Sequence, residues 1–192
     1  MRATLPCLLA ASLALAACGG NPDYYLLPPP TSGTPQSSPV GSISVADISL
    51  PAYASALEIA SLTAPGTVNL NKRSLWADTP QRALTRQLAA ALEARLRARV
   101  GTEPWPGFDN PGLSVAVTVD RMIGSESGGL DFAGQYAIVE PSSGRLVALD
   151  RFAHAVPPQG EGYPGLLADH GRAIELLADR IAATISGRRP VS

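Results

Sequence analysis

Four residues near the start, Leu15-Ala16-Ala17-Cys18, form the one arrangement in this chain whose residue types prescribe a reaction. Small residues stand directly before a cysteine, behind Arg2 and an apolar run from Leu5 to Ala17. That is a secretory signal with a lipobox at its cut. The reaction is thioether formation: the Cys18 thiol takes a diacylglycerol, the chain is cleaved before it, and the new amine is acylated. The alternative is a plain secretory signal with a chance cysteine. The apolar run is too short to span a bilayer, which takes about 20 residues. Several acyl chains, each contributing about 0.8 kcal/mol per buried CH2, make such an anchor stable. Residues 1–17 are therefore expected as a signal peptide, with Cys18 as the lipidated first residue of the mature chain. Gly19 follows the cysteine where an aspartate would mark inner-membrane retention, which favours the outer membrane, facing the periplasm.

The remaining side chains offer little further chemistry. Cys7 leaves with the signal and Cys18 is consumed, so no thiol remains for a disulfide, a metal or a nucleophile. His154 lies four residues from Asp150 on the same strand face, and His170 adjoins Asp169. A metal would need three or four ligands, which these pairs do not supply. Ser142 and Ser143 fall in a turn, and Ser125 in a Gly/Ser loop, without a partnered base. The acids Asp120, Glu126, Asp131 and Asp150 read as solvated strand-end charges. The chain is read as a non-enzyme that needs no cofactor. The mature part carries 14 basic residues, the 15 of the full chain less Arg2, against 16 acidic. A balance near −2 does not indicate nucleic-acid binding.

The elements that would position these residues follow from punctuation and period. Pro28 to Ser42 is Pro, Ser, Gly and Thr, a spacer by composition, so residues 18–42 form a lipidated N-terminus and linker. Extended, its fifteen residues span some 45 Å. Tyr24 and Tyr25, beside Leu26 and Leu27, pair as a short strand with the domain or lie at lipid headgroups, where Tyr is favoured; the strand is preferred. A domain over 43–187 follows, with a tail at 188–192. Strands are expected at Ile43–Leu50, at Leu57–Leu62 with Glu58 and Ser61 outward, and at Thr67–Leu70. A helix begins with Thr79 as N-cap and Pro80 at its first position. Its stripe is Leu84, Leu88, Leu92 and Leu96; Glu93 and Arg97 form an i,i+4 pair, and Gly101 is the C-cap candidate.

Pro104 to Gly112 is a loop carrying Trp105 and Phe108. Leu113 to Asp120 alternates cleanly as a half-buried strand. Leu130–Val139 and Arg145–Val156 form a hairpin, whose second strand puts Leu146, Ala148, Phe152 and Val156 on one face. The last helix runs Tyr163–Ile185 with Leu166, Leu167, Ile174, Leu177, Ile181 and Ile185 as its stripe. This order predicts an α+β single domain: a mainly antiparallel sheet with two long helices on one face. The other face is solvated or covered by a partner. Trp105, held between prolines, suits an interface hot spot. Trp76, just before a capped helix, is expected to pack beneath that helix, docking being the other option.

A lipobox, then Tyr24-Tyr25-x-Leu27, then a strand leading to Pro51-x-Tyr53, resembles the ABC-type transport auxiliary lipoproteins. The paraquat-inducible protein C family is their best-known branch. Leu75-Trp76-Ala77-Asp78-Thr79-Pro80 is similar to that family's Trp-containing approach to its first helix. The resemblance implies an accessory lipoprotein of a system built on MCE-domain proteins, which moves phospholipids between inner and outer membranes. It implies an MCE-domain protein as partner, an acyl contact with outer-membrane lipid, and no catalytic residues. Tyr24, Tyr25, Pro51, Tyr53 and Trp76 transfer as fold or docking positions. A homo-oligomer fits the uncovered sheet face. The alternatives are a periplasmic carrier holding a lipid between sheet and helices, and a structural lipoprotein of another envelope assembly.

Overall fold

A computed structural model describes residues 21–64, 66–107 and 109–187. The signal segment, Cys18, Phe108 and the 188–192 tail lie outside the described residues. Among the described residues, eight strands and two helices make one α+β unit. In chain order they are β1 Asp23–Tyr25, β2 Ser42–Val45, β3 Glu58–Ala64, β4 Thr67–Trp76, α1 Pro80–Arg95, β5 Arg99–Thr102, β6 Leu113–Gly124, β7 Leu130–Glu140, β8 Arg145–Val156 and α2 Gly162–Ile185. A 3-10 turn at Ala52–Ala54 separates β2 from β3.

The sheet is mixed. Its long ladders, β3–β4, β6–β7 and β7–β8, are antiparallel. Its short ones, β1–β4, β2–β5, β2–β6 and β3–β6, are parallel. β6 is the spine. On one edge it carries all of β7; on the other the chain from Ile43 to Ser61 runs alongside it in parallel. Leu113, Val115, Val117 and Val119 face inward, as their alternation requires. They meet Leu84, Leu88 and Leu92 of α1 and Leu166, Leu167, Ile174, Leu177, Ile181 and Ile185 of α2 in one core. Burying each such side chain stabilises by about 1.5–3 kcal/mol. The outer face bears small and polar residues and an exposed leucine: Ala116, Ala137 and Leu149 in one row, Thr118, Gln135 and Arg151 in the next.

Several local expectations change. β4 runs to Trp76, six residues past Leu70, because its second half is gripped by β1 and β3. Ser61 is buried on the same face as Ile59, because side chains alternate with a period of two and residues three apart, such as Glu58 and Ser61, cannot both face outward. Leu146 is exposed: a bulge near Val147 turns it off the face that Ala148, Phe152 and Val156 keep. Thr79 stands at the N-cap, but its side chain makes no capping bond; Asp78 accepts the Thr79 N–H and pairs with Arg82. α1 ends at Arg95, well before Gly101, which lies in β5. Gln36 explains the stop. Its N–H takes the Arg95 carbonyl at 2.8 Å, and its carbonyl takes the Arg97 N–H at 2.9 Å. Leu96 then turns extended into the core, and the expected Glu93–Arg97 pair cannot form along a helix.

Gly134 on β7 is a close-approach position. A Cβ there would collide with the Thr118 carbonyl oxygen and sit 3.0 Å from the Phe152 ring. Its bareness lets Phe152 lie over the strand against Phe132 (centroids 4.7 Å apart).

Candidate functional site

The Tyr-Tyr motif folds as a strand. β1 pairs with the end of β4 in parallel, Tyr24 opposite Leu75 and Tyr25 opposite Trp76. The Ala77 N–H bonds the Tyr25 carbonyl at 2.9 Å. The period of two puts Tyr25 and Leu27 inward and leaves Tyr24 and Leu26 outward, 64% and 76% exposed. Tyr25 meets the Tyr163 ring of α2 at 6.0 Å. The Tyr163 hydroxyl donates to Glu126 and accepts from Asn71, each at 2.8 Å, which ties α2 to β4 and to the β6–β7 loop. Burial pushes that phenol up from its ordinary value.

Trp76 is buried, so it is a packing residue in this fold. Its aromatic partner lies on α2. The indole meets the His170 ring edge-on, centroids 5.3 Å apart. His170 is itself buried, its Nδ1 2.7 Å from the Leu166 carbonyl. A carbonyl only accepts, so Nδ1 carries the proton. Burial holds this imidazole below its ordinary value, partly opposed by the Leu166 bond and by Asp169.

Pro51 and Tyr53 act on the spine strand. The strand expected to run to Leu50 ends at Val45, and Pro51 stands directly before the 3-10 turn as its N-cap. The Tyr53 hydroxyl then accepts the Met122 N–H of β6 at 3.1 Å. It fills the interval between the Ser49–Thr118 bridge and the Ser61–Gly124 pair, where the edge of β6 away from β7 has no strand paired to it.

Trp105 is half-buried in its loop and covers Gly101 of β5, where a Cβ would lie 3.2 Å from the indole. Grooves of about 490 and 420 Å3 flank it. One is lined by Glu93, Arg99, Asp109 and Asn110; the other by Glu103, Pro111, Val139 and Pro141. A rigid aromatic between two concave surfaces, one mostly polar and one mixed, can take a partner's side chains. It offers no reacting group.

The pair expected to share a strand face, Asp150 and His154, does so beneath α2, yet the two form no site together. Asp150 accepts from the Tyr136 hydroxyl at 3.2 Å, and Tyr136 also meets Thr184. His154 stacks on Phe152 and is held low by burial and then by Arg180. No group of three or more His, Cys, Asp or Glu among the described residues is placed to hold a metal.

Two features escaped the sequence. Asp169 is a fully buried carboxylate that accepts the Gly129 N–H at 2.8 Å and the Gln159 N–H at 2.7 Å, clasping two loops to α2. Its place directly before His170, inside an otherwise apolar helix, was the available signal. The second is a strap. Residues 28–42, expected as an extended spacer, cross both helices. Pro28 fits over Gly171, and the Thr31 N–H reaches Glu175. Gly33 abuts Arg95, itself buried and paired with Asp179, before Gln36 bridges Leu96. Burial works against the Glu175 charge, but the Thr31 bonds, Arg172 and Arg95 outweigh it and hold this carboxyl below its ordinary value. Because β1 precedes the strap, those fifteen residues add no reach between Cys18 and the domain.

The fold has close counterparts among solved structures. A protein described only as uncharacterized aligns with a TM-score of 0.71 at 21% identity, covering 87% of this chain and 100% of that one. Protein XCC0632 from Xanthomonas campestris, of family DUF330, aligns at 0.66 and 17%, covering 86% and 96%. A PelC dodecamer from Paraburkholderia phytofirmans is a looser likeness, at 0.46 and 16%, covering 83% and 96%. No curated protein matches the chain. A family model, that of the ABC-type transport auxiliary lipoprotein component, matches residues 24–182, from the tyrosine pair of β1 almost to the end of α2. By that match the chain belongs to the ABC-type transport auxiliary lipoprotein family.

Proposed function

We propose that this chain is a non-enzymatic lipoprotein, anchored through Cys18 in the outer membrane and facing the periplasm. There it serves as the docking subunit of an ABC-type system whose MCE-domain protein passes phospholipids between the two membranes. The observation that carries the reading is the family match over residues 24–182, with a lipobox cysteine six residues upstream. Supporting it, the helices take one face of the sheet and leave the other, with its row of Ala116, Ala137 and Leu149, open to a partner. Trp105 and its grooves are the second candidate contact. A homo-oligomer assembled around the conduit fits the same open face.

The carrier alternative needs an apolar chamber of roughly 300 Å3 or more between sheet and helices. Phe132, Tyr136, Ile138, Leu166, Leu167 and Leu177 fill that layer. Of the grooves beside Trp105, the larger is lined largely by polar residues, the smaller mixes Pro104, Pro111, Val139 and Pro141 with Glu103 and Asn110, and both are open at the surface. The docking reading is therefore preferred.

Cross-linking in cells, with identification of the neighbours, tests it. An MCE-domain protein is the expected partner, and outer-membrane vesicles the expected fraction. Recovery of unrelated proteins only, or of a soluble unacylated chain, would overturn it.

A further inference from the structure

We propose that the corner formed by β1 and the end of β4 is seated on the bilayer that holds the anchor, with Tyr24 and Leu26 in the headgroup layer. The inference rests on acylation of Cys18. Five residue steps separate Cys18 from Asp23, the first residue of β1. Fully extended, they span roughly 17 Å. That is less than the width of a small domain, so the corner cannot move far from the lipid surface. The strap gives no slack, because it follows β1 and is fastened to both helices.

The side chains at this place match that position. Tyr24 and Leu26 are the outward members of the alternation and are the two most exposed large apolar side chains of the described chain. An apolar body with a polar tip suits the headgroup level, and leucine suits the acyl boundary beneath it. Charge is balanced there. Lys72 and Arg73, exposed just before Ser74 (the partner of Asp23), lie in the same corner of the sheet as Asp23 and Glu58. The contact is therefore an interfacial one with weak salt dependence, unlike the binding of a polybasic patch.

The test uses the acylated full-length protein in phosphatidylcholine vesicles with a minor share of phosphatidylglycerol. Single cysteines at Tyr24→Cys, Leu26→Cys and Leu149→Cys carry a polarity-sensitive fluorophore. Leu149 lies on β8, at the other edge of the sheet, and is also exposed, so none of the three sites is needed for folding. Emission at 24 and 26 is expected to shift to the blue and to be quenched by lipids spin-labelled near the headgroup. Emission at 149 is expected to stay that of a label in water. Raising salt from 0.1 to 0.5 M should leave the pattern in place. Labels at 24 and 26 as wet as that at 149, on a chain that mass spectrometry shows to be acylated, would overturn this proposal alone. Wet labels that become buried only when a partner protein is added would make the corner a protein contact and overturn it as well. A chain without acyl groups would overturn it together with the anchored docking role.

Discussion

Tyr25 and Trp76 stand directly opposite each other in the parallel β1–β4 ladder, and both aromatic rings turn toward α2. The tyrosine motif and the tryptophan motif, fifty residues apart, thus form one contact. That contact joins the segment next to the anchor to the second helix. Trp76→Ala should cost about 3–5 kcal/mol, the range for emptying a buried indole site. The check is urea unfolding, which should show a lower midpoint with an unchanged slope.

Much of this layout was legible in the order of the residues, and the misses share a cause. The alternation of Leu113 to Asp120 and the leucine and isoleucine stripes report contacts that each element makes with a single neighbouring layer, so the period suffices. The end of α1 and the full length of β4 were not legible, because distant segments decide them. Gln36 captures the Arg95 carbonyl, and β1 lengthens β4. The strap was hidden for a related reason. Its Pro, Ser, Gly and Thr composition is that of a free spacer, and only the notch at Gly171 and the Glu175 carboxylate reveal a seat for it. Of the motif residues, Tyr53 was recognisable, but its hydroxyl's duty toward Met122 depends on a gap between two strands that no local pattern encodes.

Acid should weaken the fold before any carboxylate titrates. His154 and His170 both sit below the ordinary imidazole value, chiefly through burial. The unfolded chain therefore binds more protons than the native one as pH falls below about 6.5, the unfolded value. Stability present above that pH is lost progressively toward the depressed native values, by up to about 1.4 kcal/mol per pH unit for the buried His170 and by less for the partly exposed His154, where solvent screens the effect. Denaturant midpoints measured between pH 7.5 and 5 should fall, and the His170→Gln variant should show a shallower decline.

Asp169→Ala should release the loops at Gly129 and Gln159. Loss of the carboxylate orphans two N–H donors, and the expected cost is about 1–3 kcal/mol. Amide exchange at Gly129 should accelerate while that of the β6 core amides holds. Equal protection in variant and parent would contradict the clasp.

Tyr53→Phe keeps the ring and removes only the acceptor for Met122. A loss of about 1 kcal/mol is expected, with faster exchange at the Met122 amide and little change at Thr118.

Glu175→Ala should loosen the strap without unfolding the domain. The Thr31 N–H loses its acceptor, so a nonspecific protease should cut within residues 28–36 several-fold faster while α2 remains intact. Cleavage at the parent's rate would mean that Pro28 and Gln36 hold the strap unaided.

The threading of residues 23–42 through sheet and helices has a practical corollary for anyone producing a soluble form. A fragment begun at Ser42, where composition invites a cut, would strip a strand from β4 and bare the flanks of Trp76 and Glu175. The safe truncation window is the short interval between Cys18 and Asp23.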